Sequence, residues 1–129
     1  MAHVTEQVHG KFKVFAGPLA ADSTIGPLAD EVAAWVREAK VAPRSIGVEY
    51  VEQAKRMILT VGYRDDEPGY DVALETVKIG TVGKLDSGDV SRLEAAMPAA
   101  TAKVSRVICH EIYVSDAQDF FMVFLRYQG

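Results

Sequence analysis

The sequence predicts an α+β fold made of two strand-helix-hairpin modules (βαββ), joined in a mainly antiparallel sheet with the helices on one face. Three observations carry this expectation. Strand-like apolar stretches occur in both halves, two further stretches carry apolar residues at helical spacing, and the same order of elements occurs twice. The 129 residues, 49% hydrophobic and 25% charged, suit one domain over 1–129, with repeats at about 9–65 and 70–129.

Lys11 to Ala16 alternates charged and apolar residues before Gly17-Pro18, which reads as a first strand and its turn. Pro27 suits the first turn of the helix that follows, and Asp30 and Glu31 lie where the helix dipole favours negative charge. Leu28, Val32, Trp35, Val36 and Ala39 form its apolar stripe, with Pro43 as the terminator. Ser45 to Val51 and Met57 to Tyr63 read as a hairpin, and Asp65 to Gly69 as a loop. Tyr70 to Val82 contains one or two extended pieces. After a loop at Gly83 to Gly88, the spacing of Val90, Leu93, Met97 and Ala100 predicts a second helix, kinked or shortened by Pro98. Val107 to Val114 and Phe120 to Tyr127 form the last hairpin.

Sliding the first half by 62 positions without a gap sets Gly26 on Gly88, Arg44 on Arg106, Ile46 on Ile108, Glu49 on Glu111 and Val61 on Val123. The helices must bury their apolar stripes against the sheet, which leaves the opposite face free to form a cleft between modules.

The net charge of −4 and pI near 5.3 give no footprint for nucleic acid, which calls for clustered Lys and Arg. A cationic or neutral partner suits this balance better. The first residues, with His3, Glu6 and His9, lack a signal-peptide pattern, and no uncharged run is long enough to span a bilayer, so the expected address is cytoplasmic with no membrane partner. The single cysteine, Cys109, reads as a small buried hydrophobe. His3, His9 and His110 have no metal-ligand spacing, and Gly80 and Gly83 lie apart from any phosphate-loop lysine-serine pair, so neither metal nor cofactor is expected.

The most informative stretch is Val107 to Ser115, V-I-C-H-E-I-Y-V-S, where a carboxylate interrupts an apolar strand. Strand alternation sets Glu111 on one face with Cys109 and Tyr113, and His110 on the other, which argues against a direct His-Glu catalytic pair. A carboxylate in a cleft walled by aromatic rings recognises lipophilic cations through charge and through the negative ring faces. Tyr113, Tyr50, Tyr63, Tyr127, Trp35 and Phe15 are the candidate walls, Trp35 and Phe15 reading also as core. Partial desolvation of Glu111 is expected to raise its pKa, a shift that suits a general base as well as a cation anchor. Glu49 is the weaker candidate, flanked on its face by Gly47 and Val51 rather than by a ring.

Phe12-Lys13-Val14-Phe15-Ala16-Gly17-Pro18, Trp35, Ile46-Gly47-Val48-Glu49-Tyr50 and above all Glu111-Ile112-Tyr113-Val114-Ser115-Asp116 resemble the GyrI-like family of tandem-module small-molecule-binding domains. That family includes DNA gyrase inhibitory protein and the effector domains of multidrug-sensing activators. Leu19 stands where family members commonly carry an aromatic residue, and the link between modules is shorter. The resemblance implies a binding protein for a lipophilic cation, with Glu111 as acidic anchor. It also implies two alternatives: a hydrolase using Glu111 as general base on an electrophilic compound, or an inhibitor of a protein partner such as DNA gyrase. With about ten residues ahead of the first strand, no DNA-binding segment is expected in this chain. A rival paired-module fold, the vicinal-oxygen-chelate class, calls for metal ligands in both halves, and the sequence offers no such set.

Overall fold

Two helices and six strands form in the computed structural model, which describes residues 10–128. In chain order they are β1 (Lys11–Gly17), α1 (Pro27–Ala39), β2 (Ala42–Val51), β3 (Arg56–Arg64), β4 (Val72–Thr81), α2 (Ser87–Thr101), β5 (Val107–Val114) and β6 (Asp119–Tyr127). Tyr70 to Val82 resolves into a single strand. The readings of His3, Glu6, His9 and the start of the first repeat lie outside the described residues.

α1 begins at Pro27, whose fixed φ and missing N–H suit a first helical position. Gly26 enters it with φ 47°, and a Cβ there would meet the Ala20 Cβ at 2.8 Å, so the tight entry requires glycine. The helix stops because Lys40 turns left-handed and donates its N–H to the Val36 carbonyl, not because of Pro43, which lies in β2. At α2 the Asp86 carboxylate caps the Asp89 N–H at 2.9 Å. Pro98 neither ends nor shortens this helix, which runs on to Thr101: a proline so near the C-terminus removes one donor from a turn that is about to close.

The strands form two three-stranded antiparallel sheets, ordered β1-β3-β2 and β4-β6-β5, instead of one continuous sheet. The fold is thus α+β with helices against sheets. Leu28, Val32 and Val36 of α1 are at most 1% exposed and share one core with Phe15, Met57 and Leu59 of the first sheet and with Leu74, Val123 and Leu125 of the second. α1 touches both β1 and β4, so it ties the sheets together.

β6 reads D-F-F-M-V-F-L-R-Y with no alternation, because both of its faces are covered. Phe121, Val123 and Leu125 face the α1 core, whereas Met122 and Phe124 join Ile79, Ala100 and Val104 in a second core beside α2. The two helices therefore cover opposite faces of the second sheet rather than a common face. β3 alternates instead: Met57, Leu59 and Val61 are buried, while Ile58 emerges on an outer face shared with Val14.

The two hairpins differ in register. Glu49 lies opposite Ile58 and Glu111 opposite Val123, spacings of nine and twelve residues, so the ungapped offset of 62 cannot hold through both strands of the pair. Among the described residues no helix is long and apolar enough to cross a membrane.

The central place of α1 predicts unequal costs of truncation. Leu28→Ala should destabilise by about 2–5 kcal/mol, as buried leucine deletions do, whereas Val90→Ala on the exposed side of α2 should stay within about 0.5 kcal/mol. Urea unfolding followed by circular dichroism measures both. Equal effects would remove α1 from its place as the tie between sheets.

Candidate functional site

β2 and β5 are each the edge strand of their own sheet, and they lie side by side with no ladder joining them. At such a seam, side chains from both faces of a strand reach the same space, so the lining follows position along the seam rather than alternation. One cavity of about 310 Å³ is lined by Val48, Glu49 and Tyr50 of β2, Ile112, Tyr113 and Val114 of β5, and Phe120 of β6. A second, also of about 310 Å³, is lined by Gly47, Val48, Glu49, Ile58, Thr60 and Glu111. Val48 and Glu49 line both, so the two cavities adjoin at β2.

The first cavity is mainly apolar and aromatic with Glu49 at its edge, and the second is lined by both Glu49 and Glu111. Glu49 and Glu111 are both exposed, and neither forms an ion pair among the described residues. Glu111 thus lacks the partial burial expected of it, although its neighbours on the same strand face, Cys109 and Tyr113, are half-buried and buried.

Tyr113 is part of the frame as well as of the wall. Its ring stacks on Phe121 with centroids 5.4 Å apart, and its hydroxyl donates to the Ser23 carbonyl at 2.6 Å. Ser23 in turn donates its Oγ to the Asp116 carboxylate at 3.2 Å, tying the segment ahead of α1 to the turn after β5. Burial, then the nearby charges of Asp22 and Asp116, push the Tyr113 phenol well above its ordinary range. The hydroxyl is therefore a neutral donor already in use.

The other predicted walls lie elsewhere. Phe15 is core, and Trp35 meets it edge-on at 5.9 Å and Tyr63 at 5.1 Å, with the Lys13 ammonium 5.8 Å from the Trp35 ring. Tyr63 borders a separate polar hollow with Lys11, Asp65 and Asp66. Tyr127 packs on Tyr70 at 4.8 Å, with the Arg106 guanidinium 5.3 Å from its ring. Of the seven candidates, only Glu111, Tyr113 and Tyr50 meet at the seam. Glu49, Phe120, Ile112 and Val48 line it without having been singled out as its walls or anchor. Alternation set Ile112 on the face away from Glu111, and in the structure Ile112 lines the first cavity and Glu111 the second.

His110 contacts Phe124, a residue of the core beside α2, so it shares no face with Glu111. Among the described residues no three His, Cys, Asp or Glu side chains gather in a manner that could hold a metal. Comparison with protein-family models, with curated proteins and with solved structures gives no significant match.

Cys109 borders the seam at the level of Ile46. Burial pushes its thiol up to about 11, partly offset by the Ile46 backbone, and the Glu111 charge adds to the rise. At pH 8 the native thiol should therefore react with a disulfide reagent about a hundredfold more slowly than in the urea-unfolded chain, following the thiolate fractions. Because the folded value lies above the ordinary 9.0, the neutral thiol favours the fold fully below pH 9, and this contribution fades as pH rises toward 11. Equal labelling rates in the two states would contradict the burial of this edge.

Proposed function

We propose that the protein binds a lipophilic cation in the seam between β2 and β5, its apolar body against Tyr50, Phe120 and Ile112 and its charge beside Glu49 and Glu111. The observation that carries this reading is the adjacency of an apolar, aromatic cavity to two carboxylates that no cation of the protein neutralises among the described residues. Two negative charges at one groove repel each other, and a bound cation relieves that repulsion while its rings leave water. The resemblance to GyrI-like domains supports the same ligand class.

The reading differs from the sequence-based one in the anchor. Glu49 borders both cavities and Glu111 one, so the charge is shared between the strands rather than held by Glu111. A relation between the halves by duplication is part of this proposal, and it is supported by the central third strand in each sheet and by a register shift early in both β2 and β5. With those shifts aligned, at Pro43/Ser45 and Val107/Cys109, Glu111 corresponds to Gly47 and not to Glu49. The carboxylates then converge because the two edges meet, not because they occupy equivalent places. Hydrolysis finds less support, since a general base needs an orienting partner and His110 lies on the other face of β5.

Calorimetric titration with tetraphenylphosphonium, against neutral triphenylphosphine oxide as control, tests the reading. Glu49→Gln and Glu111→Gln should each weaken cation binding about five- to thirtyfold, and leave the neutral compound unaffected. Phe120→Ala should weaken both. Undiminished cation binding by the double variant, or no binding by the unaltered protein, would refute the site.

A further inference from the structure

On the far side of the second sheet from the seam, α1 carries another stripe. Asp30, Ala33, Ala34 and Arg37 follow the i, i+3, i+4, i+7 spacing that sets side chains on one helix face, apart from the buried Leu28, Val32 and Val36. This stripe forms one wall of a groove of about 410 Å³ whose other wall includes Ala73 and Leu74 of β4 and Gln128. Its centre is alanine, so a second helix can approach to the near end of the range of helix contacts, about 8 Å between axes.

The charges at its ends are opposite, in the sense the helix dipole favours, and neither is taken up by an ion pair among the described residues. Asp30 and Arg37 are exposed and form no ion pair among the described residues, whereas Arg44, Arg64, Arg92 and Arg126 each pair with a carboxylate. The spacing is also symmetric. An antiparallel pair of α1 helices about a two-fold axis passing between Ala33 and Ala34 sets residue 30 of one copy opposite residue 37 of the other, twice, and Ala33 opposite Ala34. A surface that complements itself in this way fits a second copy of the same chain.

We propose that the protein self-associates through this face, α1 against α1, with Asp30 of each protomer paired to Arg37 of its partner. A helix of 13 residues is about 20 Å long, so the contact is of the small, transient class, and association is concentration-dependent. The pairs are solvent-exposed and weaken as salt screens them.

Sedimentation velocity of the full chain up to about 1 mM tests this, a range suited to small interfaces. The unaltered protein should shift toward dimer as its concentration rises, and the shift should shrink in high salt. Asp30→Arg sets Arg against Arg across the axis and Arg37→Asp sets Asp against Asp, each contact counted twice, so each variant alone should associate about tenfold more weakly. An equimolar mixture of the two variants should recover the dimer, because every cross-axis contact is then attractive. Ala34→Gln, which brings bulk to the axis without charge, should also abolish association, and far-UV circular dichroism checks that each variant keeps its helix. A monomer at every concentration, variants that self-associate as the unaltered protein does, or a mixture that stays monomeric while both variants are folded would each overturn the proposal.

Discussion

The burial of one apolar stripe, Leu28, Val32 and Val36 on α1, holds this structure together, because the two sheets share no ladder of hydrogen bonds. Backbone hydrogen bonds are directional and stop at the edge of a sheet. What joins the sheets is mainly non-directional packing, in which Phe15, Leu59, Leu74, Val123 and Leu125 converge on the helix from both sides, with the Tyr113–Ser23 and Ser23–Asp116 hydrogen bonds added at the ends of the strands. The entry and exit of α1 are correspondingly fixed. Gly26 allows the chain to pass Ala20, Lys40 ends the helix in a left-handed turn, and Gly69 allows the loop between β3 and β4 to run against the Lys40 carbonyl, where a Cβ would sit 2.5 Å from its oxygen.

The seam follows from this arrangement. Once α1 has fixed the sheets by their core faces, β2 and β5 are left as neighbouring edges, and edges that do not pair leave space for side chains. Tyr113 uses its ring on Phe121 and its hydroxyl on Ser23, which stiffens one end of the groove without leaving that hydroxyl free for chemistry. Glu49 and Glu111 are exposed at the mouth, where a polar group avoids the penalty of burial.

The element order was legible because patterning is local. The α1 stripe and both hairpins follow from side-chain periodicity and turn chemistry, whereas Gly17 stays in β1 and the turn after it closes at Ala20–Ser23 rather than at Gly17-Pro18; α1 ends where its apolar spacing ends even though Lys40, not Pro43, supplies the stop. The run that forms β6 was legible as a strand of the last hairpin, but a run without alternation does not say what covers each face. Hence the placement of α2 on the face opposite α1 could not be read from β6 alone. Of the site, Glu111, Tyr113 and Tyr50 were legible as a carboxylate and rings in strands, whereas Phe15 and Trp35 went to the core and Tyr63 and Tyr127 to other surfaces.

The sequence by itself determined which segments are strands and helices and that the α1 stripe is buried, since these depend on neighbours within a few residues, whereas the α2 pattern opens on an exposed Val90 and buries only Ala100. It also determined the acidic balance and the presence of carboxylates on otherwise apolar strands. Tertiary structure alone decided that the strands divide into two sheets, that β2 and β5 meet edge to edge, and that Glu49 joins Glu111 at one groove. The physical reason is that strand alternation defines a face only within one sheet. Where two edges meet, the lining is set by how α1 packs the sheets together, a relation between residues far apart in the chain.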